Sequence, residues 1–296
     1  MSGRVAITVV CAVAASFSYA LSNVLQQSEA EKVASEHALR LGLLARLARR
    51  PRWVVGIAAD VGGYVFEALA LAAGAVVLVE PILSTALLLS LFLGAAINKR
   101  RVGRTSWLAA AVLAAGVALF VNQVSPTGGR STAPPRLWLL AGVPLVAIVA
   151  VCISAARVTS RSTRAALLGA GAGIAFGVSA LLTKAFVHFL GEGVFSWIGH
   201  WEPYALAVCS IGGLVLSQSA FQTGSLGAAL GGEQAMQPLV GVALGVGLLN
   251  EDVGTAGLLQ RLAIVVAMVA LVWGVVTLAQ VEHQNMATAA VPLPEP

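Results

Sequence analysis

The chain has 296 residues, 58% of them hydrophobic and 10% charged, with a formal net charge of +5. Soluble domains carry about 25% charge, so at a mean hydropathy of +0.88 this chain cannot cover a water-exposed surface with polar groups. Its apolar runs are continuous and do not alternate, which also argues against a transmembrane β-barrel.

Runs of about 18 or more residues without a fixed charge can cross about 30 Å of hydrocarbon as helices. Several segments meet this, and nine candidate spans are predicted, at 4–25, 53–73, 76–97, 106–123, 137–156, 165–187, 203–222, 226–249 and 256–280. The first is long for a signal peptide and is followed by eight more, so it reads as a membrane helix; Asn23 and Gln26 fall near its end, followed by Gln27. After it, VASEHALRLGLLARLARR (33–50) sets leucines on one face and arginines on the other, the pattern of a helix lying along the inner membrane surface. The second span holds ADVGGYVFEALALAAG. Asp60 and Glu67 stand seven residues apart, nearly two turns, and so share a face with Tyr64 between them. Gly63 and Gly74 permit close approach of a neighbouring helix or ligand. A pairing of Asp60 with Arg52 is the structural alternative.

The third span opens with VVLVEPIL, where Glu80 stands directly before Pro81. Proline lacks an N–H and clashes with the carbonyl four residues back, so carbonyls around Val77 and Leu78 are freed if the helix continues. Such groups must face protein or water, and a carboxylate beside them makes a cation or proton site. The competing account is a proline in a first helical turn with an acid favoured by the helix dipole. GGRSTAPPR (128–136) reads as a linker. In the sixth span Lys184 reads as snorkelling to the surface, and Arg261 in the ninth likewise. Gln218, Gln222, Glu233, Gln234 and Gln237, the last directly before Pro238, add polar groups to the seventh and eighth spans. Glu251 and Asp252 read as a solvated turn. VEHQNMATAAVPLPEP (281–296) is expected to be disordered. Cys11, Cys152 and Cys209 fall in apolar spans as packing residues, and His188 and His200 have no metal spacing.

Orientation follows from Lys and Arg. The connections after the first, third and fifth spans hold thirteen of them, against Arg4, Arg130 and Arg136 on the other side. Positive loops stay in the cytoplasm, which puts the N-terminus outside and the C-terminus inside a multi-pass protein of the plasma membrane. The sequence pI near 9.6 is then a topology signal; no aromatic cluster interleaves with the charges as nucleic-acid binding would need.

Two short similarities share an offset of 157: ALSNVLQQ (20–27) with GVSALLTK (177–184), matching Ser22 to Ser179, and VEPIL (79–83) with MQPLV (236–240), matching Pro81 to Pro238. A third, ALALAAGAVVL (68–78) with SAFQTGSLGAA (219–229), matches Gly74 to Gly224 at an offset of 150. Five helices separate the two starts, and an odd number of crossings inverts the second copy. Inverted repeats with a midplane site at their interface are a common plan of secondary transporters. The expected fold is therefore an all-α polytopic membrane protein, with two inverted four-helix repeats at 1–123 and 161–280, a linker and linking helix at 124–160, and the tail.

The pattern FSYALSNVLQQ, the run EALALAAGAVVLVEPILSTALLLSLFLGAAINKRRVGRTSWLAAAVLAAGVALF (67–120) and its counterpart SAFQTGSLGAALGGEQAMQPLVGVALGVGLLNEDVG (219–254) resemble the drug/metabolite transporter superfamily, on the EamA-like and NIPA-like side. The resemblance covers most of residues 5–280. It implies a transporter and no particular substrate. Nine spans depart from the usual ten, with residues 26–52 where a further spanning helix would be expected.

Ionisable side chains inside the bilayer are costly and face a cavity or a partner. The candidate substrate or coupling residues are Asn23, Asp60, Tyr64, Glu67, Glu80, Glu233 and Gln237, with helix breaks at Pro81 and Pro238. Desolvation disfavours the charged form of a carboxyl, which suits proton exchange. The expected function is movement of a small metabolite or drug by proton-coupled alternating access. Alternatives are a divalent-cation (magnesium) transporter of NIPA type and a non-transporting scaffold or lipid-handling protein. No nucleophile–base constellation, phosphate loop or metal-ligand motif points to an enzyme or a cofactor. The expected partners are the lipid bilayer and a small-molecule or ion substrate, with monomer and homodimer both open.

Overall fold

Apolar helices dominate the described residues. The computed structural model describes residues 3–30, 45–97, 104–123, 129–223, 226–251, 257, 262–274 and 276–277, and among them there is no strand. The helices are α1 (Gly3–Ala30), α2 (Pro51–Ala73), α3 (Val76–Leu83), α4 (Thr85–Ile97), α5 (Arg104–Gln123), α6 (Pro135–Ala156), α7 (Arg161–Glu192), α8 (Glu202–Phe221) and α9 (Leu226–Leu249), followed by α10 (Leu262–Gly274). A short 3₁₀ turn, Ser196–Gly199, joins α7 to α8. By length and composition α1, α2, α6, α7 and α8 can each cross a membrane; this is a membrane-embedded helical protein. The amphipathic stretch expected at 33–50 lies mostly outside the described residues, as do Gln27's side chain, Asp252, Arg261 and the tail.

Proline opens α2, α6 and α8 at their first or second position, where a missing N–H costs no helical hydrogen bond. The core pairs α1 with α2, and α7 with both α8 and α9. Small residues set the second contact: a Cβ on Gly173 would lie 2.3 Å from the carbonyl oxygen of Glu233 on α9. Only glycine lets the two backbones approach this closely. α6 is the most apolar of the spanning helices and leaves Leu139, Leu140, Val143 and Val146 exposed, a face suited to lipid.

Two expectations about helix breaks change. The span predicted at 76–97 is two helices, interrupted at Ser84. Pro81 starts the disruption, and the next hydroxyls complete it: Ser84 Oγ donates to the Pro81 carbonyl and Thr85 Oγ1 to that of Ile82, each at 2.7 Å. Ser16 Oγ on α1 also donates to Ile82 O, at 3.0 Å, so the carbonyls at the break are satisfied inside protein. Pro238 does not break its helix; α9 runs through it. No hydroxyl follows Pro238 at the corresponding positions, and α7 supports the backbone there, with Gly177 so close that a Cβ would lie 2.8 Å from Gln237 O.

Lys184 and Glu251 are also corrected. Neither is at a solvated surface: Lys184 Nζ lies 2.5 Å from Glu251 Oε1, with side-chain exposures of 11% and 0%. The same carboxylate accepts the Val76 and Val77 backbone N–H groups at 3.0 and 2.9 Å. It caps α3, where orphan amides and the helix dipole favour an anion.

Candidate functional site

Six of the seven polar candidates line one cavity of about 310 Å³. α1 contributes Tyr19 and Asn23, α2 contributes Asp60, Tyr64 and Glu67, and α9 contributes Glu233, Gln234 and Gln237. Phe176 and Ser179 of α7 and Ser210 of α8 complete its polar and aromatic lining. The seven-residue spacing on α2 does aim Asp60 and Glu67 into the same space. Asp60 does not pair with Arg52; its Oδ1 accepts the Ser22 hydroxyl at 3.0 Å. Glu67, 6% exposed, accepts the Tyr19 hydroxyl at 2.5 Å.

Glu80 is the exception. It is fully buried but does not line the cavity. Its side chain packs over Gly241, whose Cβ would lie 2.5 Å from Glu80 Cγ, and beside Gln237. Neither carboxyl oxygen has a hydrogen-bond partner of good geometry among the described residues. The sequence matched Glu80 with Gln237; the structure sets these two side by side, with Gln237 between Glu80 and the cavity.

Two sets of hydrogen bonds adjoin the cavity lining at Asp60 and at Tyr64. In the first, Trp53 Nε1 donates to Gln218 Oε1 (3.3 Å), Gln218 Nε2 to Gln26 Oε1 (2.7 Å), Gln26 Nε2 to Ser22 Oγ (2.6 Å) and Ser22 Oγ to Asp60 Oδ1. An indole N–H can only donate, so Trp53 fixes both amide orientations and the direction of the whole chain, which ends on a cavity carboxyl. In the second, the Tyr64 and Thr183 hydroxyls meet at 3.1 Å, and Thr183 stands on α7 directly before Lys184.

Contacts recur at the sequence offsets. A Cβ on Gly63 would lie 2.7 Å from the Tyr19 ring, and one on Gly213 the same distance from the Phe176 ring. Tyr19 and Phe176 are 157 residues apart, and Gly63 and Gly213 are 150 apart. Ser22 bonds Asp60, while Ser179 accepts from Ser210 at 3.4 Å, again at offsets of 157 and 150. Tyr19, Phe176, Ser179 and Ser210 are absent from the candidates chosen by charge and amide content. The Ser22–Ser179 match leads to Ser179 and relates Tyr19 to Phe176, and the offset of 150 set by Gly74 and Gly224 leads from Asp60 to Ser210.

The fold and the cavity together define a helical membrane protein with a polar, carboxyl-lined chamber among its helices. No family model matches the chain, and no solved structure matches it. It is similar to an uncharacterized protein of Corynebacterium glutamicum, 27% identical over 246 residues that cover 83% of this chain and 85% of the relative.

Proposed function

We propose that the protein is a secondary transporter of the drug/metabolite type, moving a small solute across the plasma membrane by proton-coupled alternating access. One observation carries the reading: carboxyls from α2 and α9 share one cavity among the helices. A polar chamber walled by helices from both halves of the chain is what alternating access requires. The paired Tyr19–Gly63 and Phe176–Gly213 contacts support two related repeats of four helices, inverted by the odd number of crossings between them. The excess of basic residues in alternate connections supports an external N-terminus. Glu67, in the cavity, is the proton-carrying group in this reading, and Glu80, packed behind Gln237, is a second.

Proteoliposomes with a trapped pH dye test the proposal across a range of solutes. Small metabolites and drugs are added outside in turn, and solute-driven change in internal pH is recorded. At least one solute is expected to drive proton movement through the wild-type protein, with the response lost in Glu67→Gln and Glu80→Gln. Absence of any solute-driven response, or responses unchanged in both variants, contradicts the proposal.

A further inference from the structure

We infer that the cavity takes an organic cation: a protonated amine or quaternary ammonium group on a small apolar body. This rests on the transport reading of the cavity and names its substrate class.

Charge is the first argument. Asp60, Glu67 and Glu233 line the cavity and no Lys, Arg or His does. Lys184 and Arg50 are engaged elsewhere, by Glu251 and Glu29. An anionic solute would meet only like charge, which disfavours it strongly. An unsatisfied group is the second. Glu233 is 6% exposed, and its Oε2 has no hydrogen-bond partner among the described residues, although Ser217 lies against the same carboxyl. A buried acceptor without a donor loses its full desolvation energy, and a cation in the cavity that this carboxyl lines offsets part of that loss through its charge.

The rest of the lining suits an organic cation better than a metal ion. Tyr19, Tyr64 and Phe176 line the same space as the acids, and aromatic rings attract a desolvated cation. Magnesium needs near-octahedral oxygen ligands at about 2.0–2.1 Å. Among the described residues no three His, Cys, Asp or Glu side chains group as metal ligands would; the acids are spread around the walls. The volume of about 310 Å³ lies at the small end of organic ligand sites, roughly 300–1,000 Å³.

An isosteric series on the purified full-length protein tests this. Phenethylammonium, phenethyl alcohol and 3-phenylpropionate carry one apolar body with charge +1, 0 and −1; tetramethylammonium and magnesium chloride complete the set. A ligand that binds only the folded form raises the melting temperature. Saturable stabilisation is expected from the two ammonium compounds alone, with the half-saturating concentration raised at least tenfold in Glu233→Gln and in Asp60→Asn. The wild-type comparison stands even if a variant fails to fold. Equal stabilisation by the alcohol, the carboxylate or magnesium, or none by either ammonium compound, overturns the inference. Ammonium binding without solute-driven flux sustains the cation site and overturns transport; flux confined to neutral or anionic solutes sustains transport and overturns the cation assignment.

Discussion

Lys184 and Glu251, 67 residues apart in the chain, form an ion pair at 2.5 Å that also holds the first amides of α3. One carboxylate thereby ties α7 to the helix that carries Glu80. It sits at the start of α3, and the helix it caps ends at the break after Pro81.

Removing one member of a buried pair leaves the other charge uncompensated, at a cost of about 3–5 kcal/mol. Glu251→Gln is therefore expected to lower the melting temperature sharply, and Lys184→Met added to it to recover part of the loss. A Glu251→Gln protein that melts like the wild type would show that the pair holds nothing together.

Gln218 is the middle of the chain that runs from Trp53 to Asp60. Gln218→Leu strands the Trp53 N–H and the Gln26 carbonyl in a buried site, each worth about 1–3 kcal/mol. Trp53→Phe in the same background removes one stranded donor and is expected to restore stability partially. Thermal melts of the single and double variants check this; additive losses would contradict a connected chain.

How much of this the sequence disclosed depended on the kind of signal. Hydropathy located the apolar helices, because a bilayer demands long uninterrupted apolar runs. The α2 face was legible too, since a helix must aim residues seven apart in one direction. Pro238 misled because a proline sets only local backbone chemistry, while the packing of α7 against α9 decides whether the helix survives it. Lys184 misled for a similar reason: its partner Glu251 lies on a distant segment, and nothing in the local composition announces the pairing. Tyr19 was missed because a tyrosine in an apolar helix looks like packing until the helix opposite is known to carry Glu67.

Tyr19 crosses Gly63 and donates to Glu67 at 2.5 Å. Tyr19→Phe removes the donor; hydrogen bonds to charged groups are worth about 1.5–3 kcal/mol, so solute-driven proton flux is expected to fall at least about tenfold. Gly63→Ala pushes the ring away, as its Cβ would stand 2.7 Å from Tyr19 Cδ1, and is expected to lower flux similarly while destabilising the fold by about 1–3 kcal/mol through overpacking. Gly213→Ala strains Phe176 to the same degree but spares the Glu67 contact, so it is expected to cost stability with a smaller loss of flux. Equal flux in all three variants would remove the Tyr19–Glu67 bond from the mechanism.

Alternating access requires this one cavity to open to each side of the membrane in turn. In a chain whose Cys11, Cys152 and Cys209 are replaced by alanine, Ser210→Cys puts a single thiol in the cavity wall. A membrane-impermeant maleimide applied to oriented vesicles from either face is predicted to label that thiol. Labelling from one face only, or from neither while the protein remains folded, would contradict the account.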